Sequence, residues 1–131
     1  MIVGVGTDLV SIPRMEGLWR RHGIRLVQRI LTAAEREEWA RRHEPARYLA
    51  LRFAAKEAVA KALGTGFSAG VSLQALTILS DPRGKPVVHF APGRLMDRLR
   101  ESGVAGVELS LTDELDWALA FAVAFGDGRD G

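Results

Sequence analysis

The spacing of apolar positions changes along this chain, first helical and later alternating. Ile2 to Ser11 is β-branched and punctuated by glycine, which predicts a short strand ending near Asp8. Pro13 suits the first turn of a helix, where the N–H it lacks has no partner to lose. Arg14 to about Arg21 then carries Met15, Leu18 and Trp19 at helical spacing, and Gly23 breaks the run. Ile24 to Leu31 predicts a second short helix. Thr32 with Glu35 three residues on forms a capping box that opens a third, Ala33 to Arg42. Pro45 starts the longest, Ala46 to Leu63, with Leu49, Phe53, Val59, Ala60 and Leu63 down one side and Gly64 closing it.

Beyond Gly70 the period shortens. Val71, Leu73, Ala75 and Thr77-Ile78-Leu79 predict a strand, Asp81-Pro82-Arg83-Gly84 a turn, and Pro86 to Phe90 the returning strand. Pro92 begins a helix to about Arg100, stopped by Ser102-Gly103. Val107, Leu109 and Leu111 alternate with Glu108, Ser110 and Thr112 as a half-buried strand. Asp113 to Asp116 predicts a turn, and the unbroken apolar run Trp117 to Phe125 a buried strand. Helices first and strands second imply an α+β fold, an antiparallel sheet packed with helices. Residues 1–125 form one domain, and the polar, glycine-rich residues 126–131 a flexible tail.

Composition narrows the function. The 131 residues hold no cysteine, so disulfides and thiolate metal sites are excluded and a reducing compartment is expected. Met1 to Ile12 lacks a basic start and contains Asp8, unlike a signal peptide. The longest apolar run, 117–125, is far short of the roughly 20 residues of a membrane helix. These features predict a cytoplasmic protein. A net charge of +2 is too small for bulk binding of nucleic acid or membrane. Its distribution is uneven: Arg14, Arg20, Arg21, Arg25 and Arg29 face only Glu16 in one segment, and Met15, Leu18 and Trp19 are interleaved with them. Such a segment suits an acidic protein surface. RNA would match the charge, but only Trp19 is at hand for base stacking. A non-catalytic basic module working through Arg14 to Arg29 is therefore the alternative to an enzyme.

Candidate chemistry begins with Asp8, an acid in an apolar run, where an unpaired charge is costly. Two hard oxygen ligands from separate elements, completed by substrate phosphates, commonly hold Mg²⁺. The long helix supplies the second candidate in Glu57, which shares a face with Lys61 four residues on. Ala54, Ala55, Ala58, Ala60 and Ala62 leave room for another segment or a ligand to come close, and Gly64-Thr65-Gly66 follows with amides that could cradle an anion. His22, His43 and His89 are scattered without partners at ligand spacing. Gly64-Thr65-Gly66 lacks the Gly-Lys-Ser continuation of a phosphate-binding loop, and Gly4-Val5-Gly6 opens no helix on a third glycine. Neither motif supports an ATPase or a dehydrogenase.

Gly4-Val5-Gly6-Thr7-Asp8-Leu9, Arg52-Phe53-Ala54-Ala55-Lys56-Glu57-Ala58, Lys61, Gly64-Thr65-Gly66, Gly84-Lys85-Pro86 and Leu109-Ser110-Leu111-Thr112 together resemble the holo-acyl-carrier-protein synthase family. These are the short, single-domain 4′-phosphopantetheinyl transferases, and the resemblance spans nearly the whole chain. It implies a phosphopantetheinyl transferase-like fold with the site on a long central helix. It also implies transfer of phosphopantetheine from coenzyme A to a serine of apo acyl carrier protein, in fatty acid biosynthesis, with release of 3′,5′-ADP. By the same resemblance Asp8 and Glu57 bind Mg²⁺ (or Mn²⁺), Glu57 is the general base, directly or through a water, and Lys61 steadies the diphosphate. Gly64, Thr65 and Gly66 approach the coenzyme, with Arg52, Lys85 and Pro86 in the nucleotide region. Arg14, Leu18, Arg21 and Arg25 meet the acidic recognition helix of the carrier protein. The family further implies a homotrimer with sites at subunit interfaces. Asp113 departs from the family's usual histidine. An ionised carboxylate cannot donate to a phosphate, so no role is carried over to it.

Overall fold

The computed structural model describes residues 1–64 and 72–127. Strand β1 (Ile2–Ser11) leads into helices α1 (Ile12–His22), α2 (Ile24–Ile30), α3 (Ala33–Ala40) and α4 (Pro45–Leu63). A 3₁₀ turn (Leu73–Ala75), strands β2 (Leu76–Ser80) and β3 (Pro86–Phe90), helix α5 (Arg94–Glu101) and strands β4 (Val104–Glu114) and β5 (Trp117–Gly126) follow. The architecture is α+β. One sheet runs β1-β5-β4 and a two-stranded ribbon pairs β2 with β3, all antiparallel. The first and last strands therefore lie side by side, and α4 crosses the inner face they share.

Local chemistry explains most boundaries. Ser11 Oγ accepts the Arg14 N–H at 3.2 Å, capping α1 just ahead of Pro13. The Thr32–Glu35 capping box is present at α3. Gly64 ends α4 with φ 76°, in the left-handed region that favours glycine.

The structure revises several expectations. β1 does not stop near Asp8 but continues to Ser11, because Leu9 to Ser11 pair with Leu119 to Trp117. Leu73 and Ala75 lie in a 3₁₀ turn, with the strand starting only at Leu76, and Val71 lies outside the described residues. The last helix starts at Arg94, not Pro92. Asp113 and Glu114 belong to β4, which leaves Leu115-Asp116 as a two-residue hairpin turn. Gly126 is no part of a tail, since it closes β5 and donates its N–H to the Met1 carbonyl at 2.7 Å. Residues 128–131 lie outside the described residues. β5 is buried on one face only. Ala118, Ala120, Ala122 and Ala124 are fully buried, whereas Trp117 and Phe121 on the other face are 50% and 41% exposed.

The inner face of β5 packs alanine against alanine, with Ala54, Ala55, Ala58 and Ala62 of α4 opposite. Small residues let helix and sheet approach closely, and β1 comes closer still. A Cβ on Gly4 would lie 2.1 Å from the Ala62 carbonyl oxygen, and one on Gly6 2.1 Å from that of Ala58. The candidate room around the alanines is thus filled by β1 itself. Gly6→Ala must push strand and helix apart, and we expect a loss of about 1–3 kcal/mol, read as a lowered urea midpoint.

Two buried ion pairs pin α4 to the elements behind it. Lys56, fully buried, donates to Glu35 Oε1 at 2.7 Å, to the Ile30 carbonyl at 2.7 Å and to the Leu73 carbonyl at 2.8 Å. Glu35, equally buried, also accepts the N–H groups of Thr32 and Ile78, each at 2.8 Å. Arg52 donates to Glu38 Oε1 at 2.8 Å and lies over the Tyr48 ring. Burial alone would raise the Glu38 pKa, but the Ser80 N–H and the guanidiniums of Arg52 and Arg42 hold it below the usual value.

Candidate active site

The strand and helix that meet at the glycines also bring the acids together. Gly4, Gly6 and Asp8 share the inner face of β1 by the period of two, while Val5 and Leu9 point outward. Asp8 arrives beside Lys61, whose Nζ donates to Asp8 Oδ1 at 3.1 Å and to the Thr7 carbonyl at 2.9 Å. The Asp8 side chain is 18% exposed. Glu57 lies one turn before Lys61 on α4. Its pKa is raised by burial and by the neighbouring Asp8 carboxylate, with Lys61 opposing. Asp8 on the strand and Glu57 on the helix thus offer carboxylate oxygens from two separate elements, the kind of donor that could hold a divalent cation. Among the described residues no group of three or more His, Cys, Asp or Glu side chains could hold one alone. A cation here would complete its shell with water and substrate oxygens, which suits Mg²⁺.

Of the coenzyme candidates, Gly64 stands exposed at the end of α4, a turn beyond Lys61. Thr65 and Gly66 lie outside the described residues. Lys85 and Pro86 lie at the start of the ribbon, where Lys85 is exposed and pairs with Glu108 at 2.8 Å. Arg52 does not join the site. It is 4% exposed and turned into the interior towards Glu38 and Ser80, because a guanidinium placed there by helix geometry needs a buried acid. Arg14, Arg21 and Arg25 are exposed and form no ion pair with any described residue, and Leu18 is half-buried between them in the sequence. Arg20 instead pairs with Glu16 at 2.7 Å.

Asp113, the departure from the family pattern, has a partner that the sequence reading missed. It pairs with Arg47 in the first turns of α4, and Arg47 Nη2 also reaches the Leu115 carbonyl at 3.1 Å. The only signal available was the acid itself, exposed at a strand end and in need of a cation.

The family model for the 4′-phosphopantetheinyl transferase superfamily matches residues 4–122. The holo-[acyl-carrier-protein] synthase of Laribacter hongkongensis is 50% identical over 124 residues, covering 94% of this chain and 98% of that protein. The crystal structure of the Neisseria meningitidis holo-[acyl-carrier-protein] synthase superposes with a TM-score of 0.90 at 46% identity, over 95% of this chain and 99% of that one. A holo-(acyl-carrier-protein) synthase from Bacillus anthracis, in complex with CoA (3′,5′-ADP), gives a TM-score of 0.77 at 32% identity, over 95% and 96% of the two chains.

Proposed function

This chain belongs to the holo-[acyl-carrier-protein] synthase family of 4′-phosphopantetheinyl transferases, and from that premise we propose how its own residues carry the family's reaction. It transfers the 4′-phosphopantetheine of coenzyme A to a serine hydroxyl of apo acyl carrier protein, yielding holo carrier protein for fatty acid biosynthesis and 3′,5′-ADP. The observation that carries this reading is the meeting of Asp8, Glu57 and Lys61 where β1 crosses α4.

The serine oxygen forms the new bond to phosphorus as the phosphorus–oxygen bond to the departing 3′,5′-ADP breaks. Glu57, directly or through a water, is the general base that takes the serine proton. Lys61, held by the Thr7 carbonyl and Asp8, presents a fixed positive charge towards the 5′-phosphate of the departing 3′,5′-ADP. Asp8 and Glu57 would hold Mg²⁺ (or Mn²⁺), which would supply positive charge to neutralise the diphosphate. Gly64, at the end of α4, would approach the coenzyme, with Lys85 and Pro86 towards the nucleotide. The coenzyme-bound Bacillus anthracis relative supports that substrate.

Exposed Arg14, Arg21 and Arg25, with Leu18, suit an acidic helix of the carrier protein. The outer sheet face exposes Val5, Leu9, Trp117 and Phe121, an apolar face that an assembly such as the family's homotrimer would cover. Among the described residues no helix is long and apolar enough to cross a membrane, and a cytoplasmic location suits both substrates. A purely binding module would have no use for two opposed carboxylates on separate elements, so the basic segment alone is not the favoured reading.

The test is mass spectrometry of apo carrier protein incubated with this protein, coenzyme A and Mg²⁺. We expect a gain of one phosphopantetheine that is lost with chelator and restored by excess Mg²⁺. Unmodified carrier protein would refute the transferase reading, and modification that survives chelation would refute the metal.

A further inference from the structure

Arg47 projects from the start of α4, ten residues ahead of Glu57 and so about 15 Å from it along the helix. Its guanidinium forks. One nitrogen pairs with Asp113 near the end of β4, the second donates to the Leu115 carbonyl at 3.1 Å, and Nε lies 3.4 Å from Glu44. Leu115 is the one non-glycine residue with positive φ among the described residues, at 50°. That conformation is unfavourable for a leucine and needs outside support. The next residue, Asp116, accepts the Ile12 N–H at 2.8 Å, and Trp117 pairs with Ser11. Ile12 is the first residue of α1, and exposed Arg14 follows two residues later. A single side chain on α4 thereby braces the β4–β5 turn, and that turn holds the first residue of the basic helix.

We propose that Arg47, held by Asp113, is a positioning residue for recognition of the acidic partner: it sets the β4–β5 turn and through it the start of α1, from which Arg14 and Arg21 are presented. The inference rests on the transferase reading above and deepens it. It also gives Asp113 a task, that of an anchor for Arg47. The pair touches neither the acids nor Lys61 in this chain, so its removal should affect partner affinity and spare the chemistry.

Steady-state transfer kinetics on Arg47→Ala, Asp113→Ala and the double variant test this, with carrier protein and coenzyme A varied in turn. Each single variant should raise KM for carrier protein about three- to fivefold, the size a partly exposed ion pair supports. kcat and KM for coenzyme A should stay at wild-type values. The double variant should be no worse than either single, since both act through one contact. Arg47→Lys, which keeps the charge but not the planar fork, should remain impaired. A raised KM for coenzyme A would overturn the proposal by placing the pair at the coenzyme. A reduced kcat, additive losses, or full function in Arg47→Lys would overturn it as well. Variants that match an active wild type would refute the positioning role alone, whereas an inert wild type would refute the transferase reading with it.

Discussion

Glu57→Gln loses about 10²- to 10⁴-fold in transfer rate, the usual contribution of a positioned general base, and the folded protein gains stability at neutral pH. The two effects share one cause. Burial and the Asp8 carboxylate raise the Glu57 pKa, so the folded state binds that proton more tightly than the unfolded chain does. Stability from this group is therefore greatest below the ordinary carboxylate pKa and falls as pH rises through the raised value. The amide, which never ionises, escapes that loss. Thermal melts of chelator-treated wild type and Glu57→Gln should diverge as pH climbs from the ordinary carboxylate value, with the variant ahead. In the same metal-free protein, Asp8→Asn should move the wild-type curve towards the variant by removing the like charge. Superposable melts at every pH would show that neither burial nor Asp8 raises the Glu57 pKa. A Glu57→Gln enzyme of full activity would remove the base assignment.

Lys56→Met should be the most destabilising single change, at about 3–5 kcal/mol, since it leaves a fully buried carboxylate without its cation. The urea midpoint should fall with the slope unchanged. Removing Glu35 as well should not restore the wild-type value. Glu35 also accepts the N–H groups of Thr32 and Ile78, so its loss strands two donors in place of one charge. A double variant as stable as wild type would mean that water reaches those amides.

The candidate reacting groups stand out in the sequence because each breaks a local pattern. Asp8 is an acid in an apolar strand, and Glu57 and Lys61 are charges on a face otherwise made of alanine. The capping box at Thr32 and the glycine stop after Leu63 were equally plain, since both depend on residues a few positions apart. Arg52 was misplaced for the opposite reason. Its acid, Glu38, lies on a different helix, and nothing local says whether an arginine faces a ligand or a buried carboxylate. Arg47 and Asp113 are 66 residues apart, and for the same reason their pairing was not legible. β5 was misread because hydrophobicity ignores size. Alanines alternate there with Trp117, Leu119 and Phe121, and that alternation marked which side meets a helix.

The glycines of β1 also govern which folded forms of this chain are possible at all. Sliding a strand by one residue along its neighbour turns every side chain to the opposite face, so a sheet with one buried face already resists such a slip. Here a one-residue slip would press Val5 or Thr7 into gaps that leave no space for a Cβ, and a two-residue slip would press in Ile2 or Asp8. The alignment that puts Gly4 and Gly6 against Ala62 and Ala58 is the one that leaves Asp8 beside Lys61. Misaligned molecules are thus rejected at the folding stage, before they could accumulate as well-folded but inactive protein. A purified preparation should accordingly titrate as fully active or contain unfolded material, with little in between.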